Sequence, residues 1–166
     1  MTQDVSLQRV SPRTLAAVRA SVPAGSVGAA FGPPLDKVWA FLRRNEGLRT
    51  DGHNVFLYHH EPELAQTSTR SLIDFGVEVT RAFEGEGDVA CVETPGGEAA
   101  VAVHRGPYLG MKTAHDAIHR WCAENGRGIG AFSWEIYSDW NEDPARLETT
   151  IFYLLRPISD DPVLAG

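Results

Sequence analysis

Cysteine is nearly absent. Cys91 and Cys122 are the two cysteines in 166 residues. They cannot build a disulfide framework, and their spacing fits no zinc site. Both read as inert buried thiols. Long apolar runs are missing as well. None approaches the roughly 18 residues that cross a bilayer, so no membrane partner is expected. The first residues, Met1-Thr2-Gln3-Asp4, lack the basic-then-apolar order of a secretion signal, and a cytoplasmic location is expected. Basic clusters are scarce too. Beyond Arg43-Arg44 there is no Lys/Arg patch, and the formal charge is -7, so direct nucleic-acid binding is not expected. A negative surface suits cationic small molecules or a basic protein partner instead.

What remains is an ordinary globular composition. The apolar fraction is 43%, enough for a packed core rather than a disordered chain. The length suits one domain over 1–166, or two small halves sharing a core.

The central stretch is Phe132 to Trp140, where aromatic and β-branched residues predict a strand. Side chains alternate along a strand. Phe132, Trp134 and Ile136 share one face, which is core-like. Ser133, Glu135, Tyr137 and Asp139 share the other. A carboxylate on an aromatic sheet surface is costly to desolvate unless a cation or hydrogen-bond donors meet it.

The rest of the chain falls into a pattern. An extended segment over Val5–Val22 is kinked at Pro12 or placed at an edge by it. A helix follows, best supported from Pro34 to Arg44, with Leu35, Val38, Trp39 and Leu42 at helical spacing and Gly47 as a stop. His53–His60 and Ser71–Ala82 read as strands, and Glu61–Arg70 as a polar loop. An acidic, glycine-rich connection, Phe83–Asp88, separates this half from the next. There, Val89–Glu93 and Glu98–Arg105 are strands around the turn Thr94-Pro95-Gly96-Gly97. A second helix spans Leu109–Asn125, with Met111, Ala114, Ile118, Trp121 and Cys122 as its apolar stripe. Leu147–Leu155 is the last strand, and Arg156–Gly166 a tail.

The order strand, helix, strand, strand therefore occurs twice, in halves of about 3–83 and 88–156. Residue echoes share a register. Leu57-Tyr58 falls on Ile136-Tyr137 and Gly47 on Gly126, each at the same offset. Phe56 then falls on Glu135. The predicted fold class is α+β: one curved antiparallel sheet with two helices on one face. The other face lacks a cover and is expected to hold a ligand groove. Phe56 and Tyr58 from the first half, and Glu135 and Tyr137 from the second, are placed in that groove. Tyr153 on the doubly apolar last strand and Trp140 near a strand end are further candidates for contacts there.

Other signals are weaker. His115 and His119 stand four apart on a helix, a spacing that can ligate zinc. The Glu of the metalloprotease motif is missing, so a solvated helix face is the preferred reading and no metal is expected. His59-His60 point to opposite faces of a strand and make a poor chelate. Thr94-Pro95-Gly96-Gly97 lacks the Lys-Ser/Thr of a phosphate loop. No cofactor is expected. Trp39 and Trp121 fit core positions.

The second half carries a resemblance. Thr94-Pro95-Gly96-Gly97, His104-Arg105-Gly106-Pro107-Tyr108, Trp121-Cys122-Ala123-Glu124-Asn125-Gly126 and Trp134-Glu135-Ile136-Tyr137 together resemble the GyrI-like small-molecule-binding domain. That domain is also the effector-binding half of bacterial multidrug-responsive transcription activators. The resemblance implies a stand-alone member with a central groove. It also implies an acidic residue at the groove floor that meets lipophilic, cationic or aromatic ligands, a role that falls to Glu135 with Tyr137 beside it. Some stand-alone members resemble hydrolases that open strained cyclopropane rings. In that alternative Glu135 and Tyr137 become catalytic. Others resemble gyrase inhibitors, which would make the chain a protein-interaction module. Whether the chain is an enzyme stays open at this stage. The proline that often ends the family's last strand is displaced here to Pro157, and no role is carried over at that end.

Overall fold

The computed structural model describes residues 4–60, 69–139 and 141–158. In chain order the elements are β1 (Ser6–Val10), β2 (Thr14–Pro23), a short α1 (Val27–Ala30), α2 (Gly32–Arg44), β3 (Arg49–His59) and β4 (Arg70–Val79). Then come β5 (Val89–Glu93), β6 (Gly97–Arg105), α3 (Met111–Glu124), β7 (Ile129–Tyr137) and β8 (Glu148–Leu155). One antiparallel sheet takes all eight described strands, in the order β1-β6-β8-β7-β3-β4-β2-β5. The fold is α+β, as expected.

Exchanging β1 with β5, β2 with β6, β3 with β7 and β4 with β8 reverses this order without changing it. The sheet is therefore built twice around the β3–β7 pair. The halves are not self-contained, however. β1 of the first half pairs with β6, and β5 of the second half with β2. The expected single segment with a kink at Pro12 is in fact two strands at opposite ends of the sheet. Proline lacks the N–H that would continue a ladder, and the chain leaves the sheet there.

That crossing dictates the curvature. Six strand spacings separate β1 from β2, and six separate β5 from β6. In a flat sheet each gap would be about 29 Å. Only three residues bridge each gap, and a four-step Cα path reaches at most about 15 Å. The sheet must curl until its ends approach. The two links meet where they cross. Thr94 N–H donates to the Arg13 carbonyl at 2.9 Å, and Arg13 N–H donates to Thr94 Oγ1 at 2.8 Å.

The inside of the curl has no helix. It is filled by Leu15, Ala17, Val55, Leu57, Ala99, Val101, Trp134 and Phe152, with Trp134 and Phe152 stacked at 5.1 Å between centroids. Both helices lie on the other face. Leu35, Val38, Phe41 and Leu42 of α2 pack with Phe56, Ile73, Phe75 and Val77. Met111, Ala114, Ile118 and Cys122 of α3 pack with Ala100, Ala102, Ile151, Tyr153 and Leu155. Trp39 and Trp121 are partly buried against these two clusters.

Candidate functional site

The expected position of the groove needs correcting. Phe56 lies directly opposite Glu135 on β7, and Glu135 opposite Ile151 on β8. Directly opposed residues share a face, and Phe56 and Ile151 belong to the helix-side clusters. Glu135 thus faces the helix side. Among the described residues the helix-free face is packed with the chain's own side chains on the inside of the curl.

On the helix side, α2 packs over β2 and β4, and α3 over β6 and β8. The central strands β3 and β7 lie between the two helices. Alternation along them brings Phe56, Tyr58 and His60 from β3 and its end, and Ser133, Glu135 and Tyr137 from β7, onto the floor of this trough. Tyr153 joins from β8, directly opposite Ser133. Five of the six predicted ligand residues are therefore neighbours: Glu135, Tyr137, Phe56, Tyr58 and Tyr153. Trp140, the sixth, lies outside the described residues.

Glu135 is the hub. Its side chain is only 5% exposed. Tyr58 Oη–H donates to Oε1 at 2.9 Å, and Tyr137 Oη–H donates to the same oxygen at 2.6 Å. His115 Nε2 reaches Oε2 at 2.8 Å. The other ring nitrogen, Nδ1, lies 2.7 Å from Tyr153 Oη. Burial, and next the Glu135 charge, push the phenols of Tyr58, Tyr137 and Tyr153 well above the usual tyrosine range. They stay protonated, so Tyr58 and Tyr137 act as neutral donors. A carboxylate offers about four acceptor positions; three are taken.

His115 was expected to face solvent. It sits in the trough wall because it falls inside the apolar stripe of α3, between Ala114 and Ile118. His119, one turn on, is exposed but lays its ring edge-on to Tyr153 at 5.0 Å. His60 lies 2.6 Å through Nε2 from Ser133 Oγ. Among the described residues no group of three or more His, Cys, Asp or Glu side chains is arranged to hold a metal ion.

Aromatic rings continue the trough at its other end. Phe31 packs on Phe56 at 5.9 Å, Phe56 on Tyr137 at 4.8 Å, and Tyr108 edge-on to Tyr137 at 5.6 Å. Phe31 and Tyr108 are exposed, and Leu109 beside Tyr108 is 98% exposed. Across the sheet, Tyr137 is flanked by Asn54 and Thr149. Asn54 Oδ1 and Thr149 Oγ1 are buried without a hydrogen-bond partner.

A second charged cluster stands on the opposite face. Asp74, 1% exposed, accepts two hydrogen bonds from Arg19, at 2.8 and 3.2 Å, and lies 2.7 Å from His59 Nε2. Burial pushes its pKa up, but the His59 and Arg19 hydrogen bonds outweigh this and hold it below the usual range.

The GyrI-like family, described as a small molecule binding domain, matches residues 3–156. No curated protein matches the chain. Among solved structures, the C-terminal domain of EcmrR is similar at a TM-score of 0.77 and 22% identity, over 95% of this chain and 100% of that one. A hydrolase from Listeria innocua is similar at 0.65 and 11%, over 93% of each chain. SAV2435, solved bound to tetraphenylphosphonium, is similar at 0.61 and 11%, over 92% of this chain and 94% of that one. At these identities the structural likeness concerns the fold.

Proposed function

The chain belongs to the GyrI-like small-molecule-binding family, and on that premise we propose that it binds lipophilic cations in the trough between α2 and α3. The observation that carries this reading is a buried carboxylate ringed by aromatic side chains. Glu135 supplies the counter-charge. Tyr58, Tyr137, Tyr153 and Phe56 supply ring faces and edges. A cation over an aromatic face gains about 0.5–2 kcal/mol per contact, more when desolvated. Glu135 adds selectivity for charge over neutral isosteres. The similar SAV2435 holds tetraphenylphosphonium, itself a lipophilic cation, which supports the same chemistry here.

Titration calorimetry with tetraphenylphosphonium and with neutral triphenylphosphine oxide tests it. Wild type should prefer the cation, and Glu135→Gln should lose that preference. Equal affinity of wild type for both compounds, or unchanged cation affinity in Glu135→Gln, would overturn it.

A second reading, hydrolysis of electrophilic cyclopropane-bearing compounds, draws on one observation: His115 joins Glu135 to Tyr153. Glu135 would take a proton from water as the water oxygen bonds to a strained ring carbon and the ring carbon–carbon bond breaks. The electron pair of that bond passes to the substrate's conjugated electron-withdrawing group, which then takes the proton back from Glu135. Tyr137 would turn its hydroxyl proton from Glu135 Oε1 to the negative charge developing on the substrate. Mass analysis after incubation with such an alkylator should then show a product heavier by one water. No such product on several substrates would sink it.

A further inference from the structure

We infer that His115 sets the charge specificity of the trough, a proton on its ring and a cationic ligand competing for the same carboxylate. The inference rests on the binding reading above. Its ground is the geometry of one imidazole. Nε2 meets Glu135 Oε2 at 2.8 Å and Nδ1 meets Tyr153 Oη at 2.7 Å.

Two states of this ring satisfy both contacts. In the neutral state Nε2–H donates to Glu135, and Nδ1 accepts the proton of Tyr153 Oη. Every member is then neutral except the carboxylate, and the trough floor carries one net negative charge. In the charged state both ring nitrogens donate, Tyr153 turns its proton away, and the Glu135–His115 pair sums to zero. A lipophilic cation arriving then meets no net charge and a second cation beside it. An uncharged aromatic ligand is indifferent between the two states. Imidazole is the side chain whose charge changes near physiological pH, so the preference for cations becomes pH-dependent.

Among the described residues, Glu135 is the anion hydrogen-bonded to His115. Tyr153 on β8 faces it as a neutral phenol. On β7 the facing charge is Glu135, whose other oxygen is held by the neutral Tyr58 and Tyr137. On its own helix Asp116 is exposed and paired with Lys112 at 2.8 Å, and His119 leans on the far side of Tyr153. His60, at the end of β3, stacks on Tyr153 at 6.2 Å between centroids. His119 is the control, since it touches Tyr153 from outside the trough floor and is not bonded to Glu135.

The experiment is the pH dependence of tetraphenylphosphonium affinity from about pH 5 to 8, measured by calorimetry on wild type, His115→Gln and His119→Gln. Wild type should weaken as pH falls, by up to about tenfold per unit, the limit for one proton competing with one cation. His119→Gln should keep that slope, and His115→Gln should lose it. Triphenylphosphine oxide should bind wild type with no slope. On the wild-type protein, NMR of the His115 ring should show its titration moving to lower pH when tetraphenylphosphonium is added, because linkage is reciprocal. A flat wild-type profile, or a slope that survives in His115→Gln, overturns the role of His115 while leaving the binding reading intact. No tetraphenylphosphonium binding at any pH overturns the binding reading and this inference with it.

Discussion

Phe56 and Glu135 face each other across β3 and β7, and they are also equivalents in the chain's internal repeat, 135 − 56 = 79 residues apart. The pair lies at the point about which the strand order reverses. One repeat placed a phenylalanine there and the other a carboxylate. Phe56 is closed in by Phe31, Phe75 and Tyr137. The symmetry of the sheet is broken chemically at its centre, where a phenylalanine faces a carboxylate.

Truncating Glu135 to alanine should destabilise the protein by about 2–4 kcal/mol. It leaves two phenol donors and one imidazole without their shared acceptor in a buried site. Glu135→Gln keeps the shape and should stay within about 1 kcal/mol of wild type. Urea denaturation of both variants measures the difference.

Tyr153→Phe should separate the two contacts of His115. It removes the hydroxyl at Nδ1 and keeps the aromatic ring. Stability should fall by about 1 kcal/mol. A neutral Nδ1 loses the proton it accepted, whereas a charged ring loses an acceptor. NMR of the His115 ring in this variant reads how the balance between the two states moves, and an unchanged spectrum would contradict the contact.

Asp74 gives a prediction in acid. Its folded-state pKa is lowered, so its contribution is present above the ordinary value of 3.8 and is lost as pH falls through the folded value. Asp74→Asn should cost about 2–3 kcal/mol near neutral pH. That deficit should shrink as pH drops below 3.8. Thermal melts of both proteins from pH 7 to pH 3 check the sign.

Gly76→Ala should destabilise by about 1–3 kcal/mol. An added Cβ would stand 2.9 Å from the Ala16 carbonyl oxygen and 3.0 Å from Ala17 Cβ. The obstacle is backbone of a paired strand, which cannot swing away as a flexible side chain could. Chemical denaturation measures the loss.

Much of this architecture is legible in the residues themselves. Alternation in Phe132–Tyr137 and in Ile73–Val79 reveals which side chains share a face, and the shared offset of 79 reveals the duplication. A period of two does not reveal which face the helices cover. That depends on connections whose partners lie far apart in sequence. The curl is the clearest case, since it follows from three-residue links between strands that only the sheet order places at opposite ends. His115 is different, because a signal was present. Met111, Ala114, His115, Ile118 and Cys122 follow one helical stripe, and four of the five are buried core residues. A histidine within such a stripe points inward with its neighbours. The spacing of His115 to its apolar neighbours is therefore a stronger signal than its spacing to His119.

The crossing links at Arg13 and Thr94 carry a last consequence. Each half lends its outermost strand to the other, so neither is complete alone. Severing the chain between Phe83 and Asp88 would split three ladders, β1–β6, β2–β5 and β3–β7, between two fragments, and each would hold the strands its counterpart lacks. Such fragments should fold only on mixing, and the molecule behaves as an intertwined pair that happens to be encoded in a single reading frame.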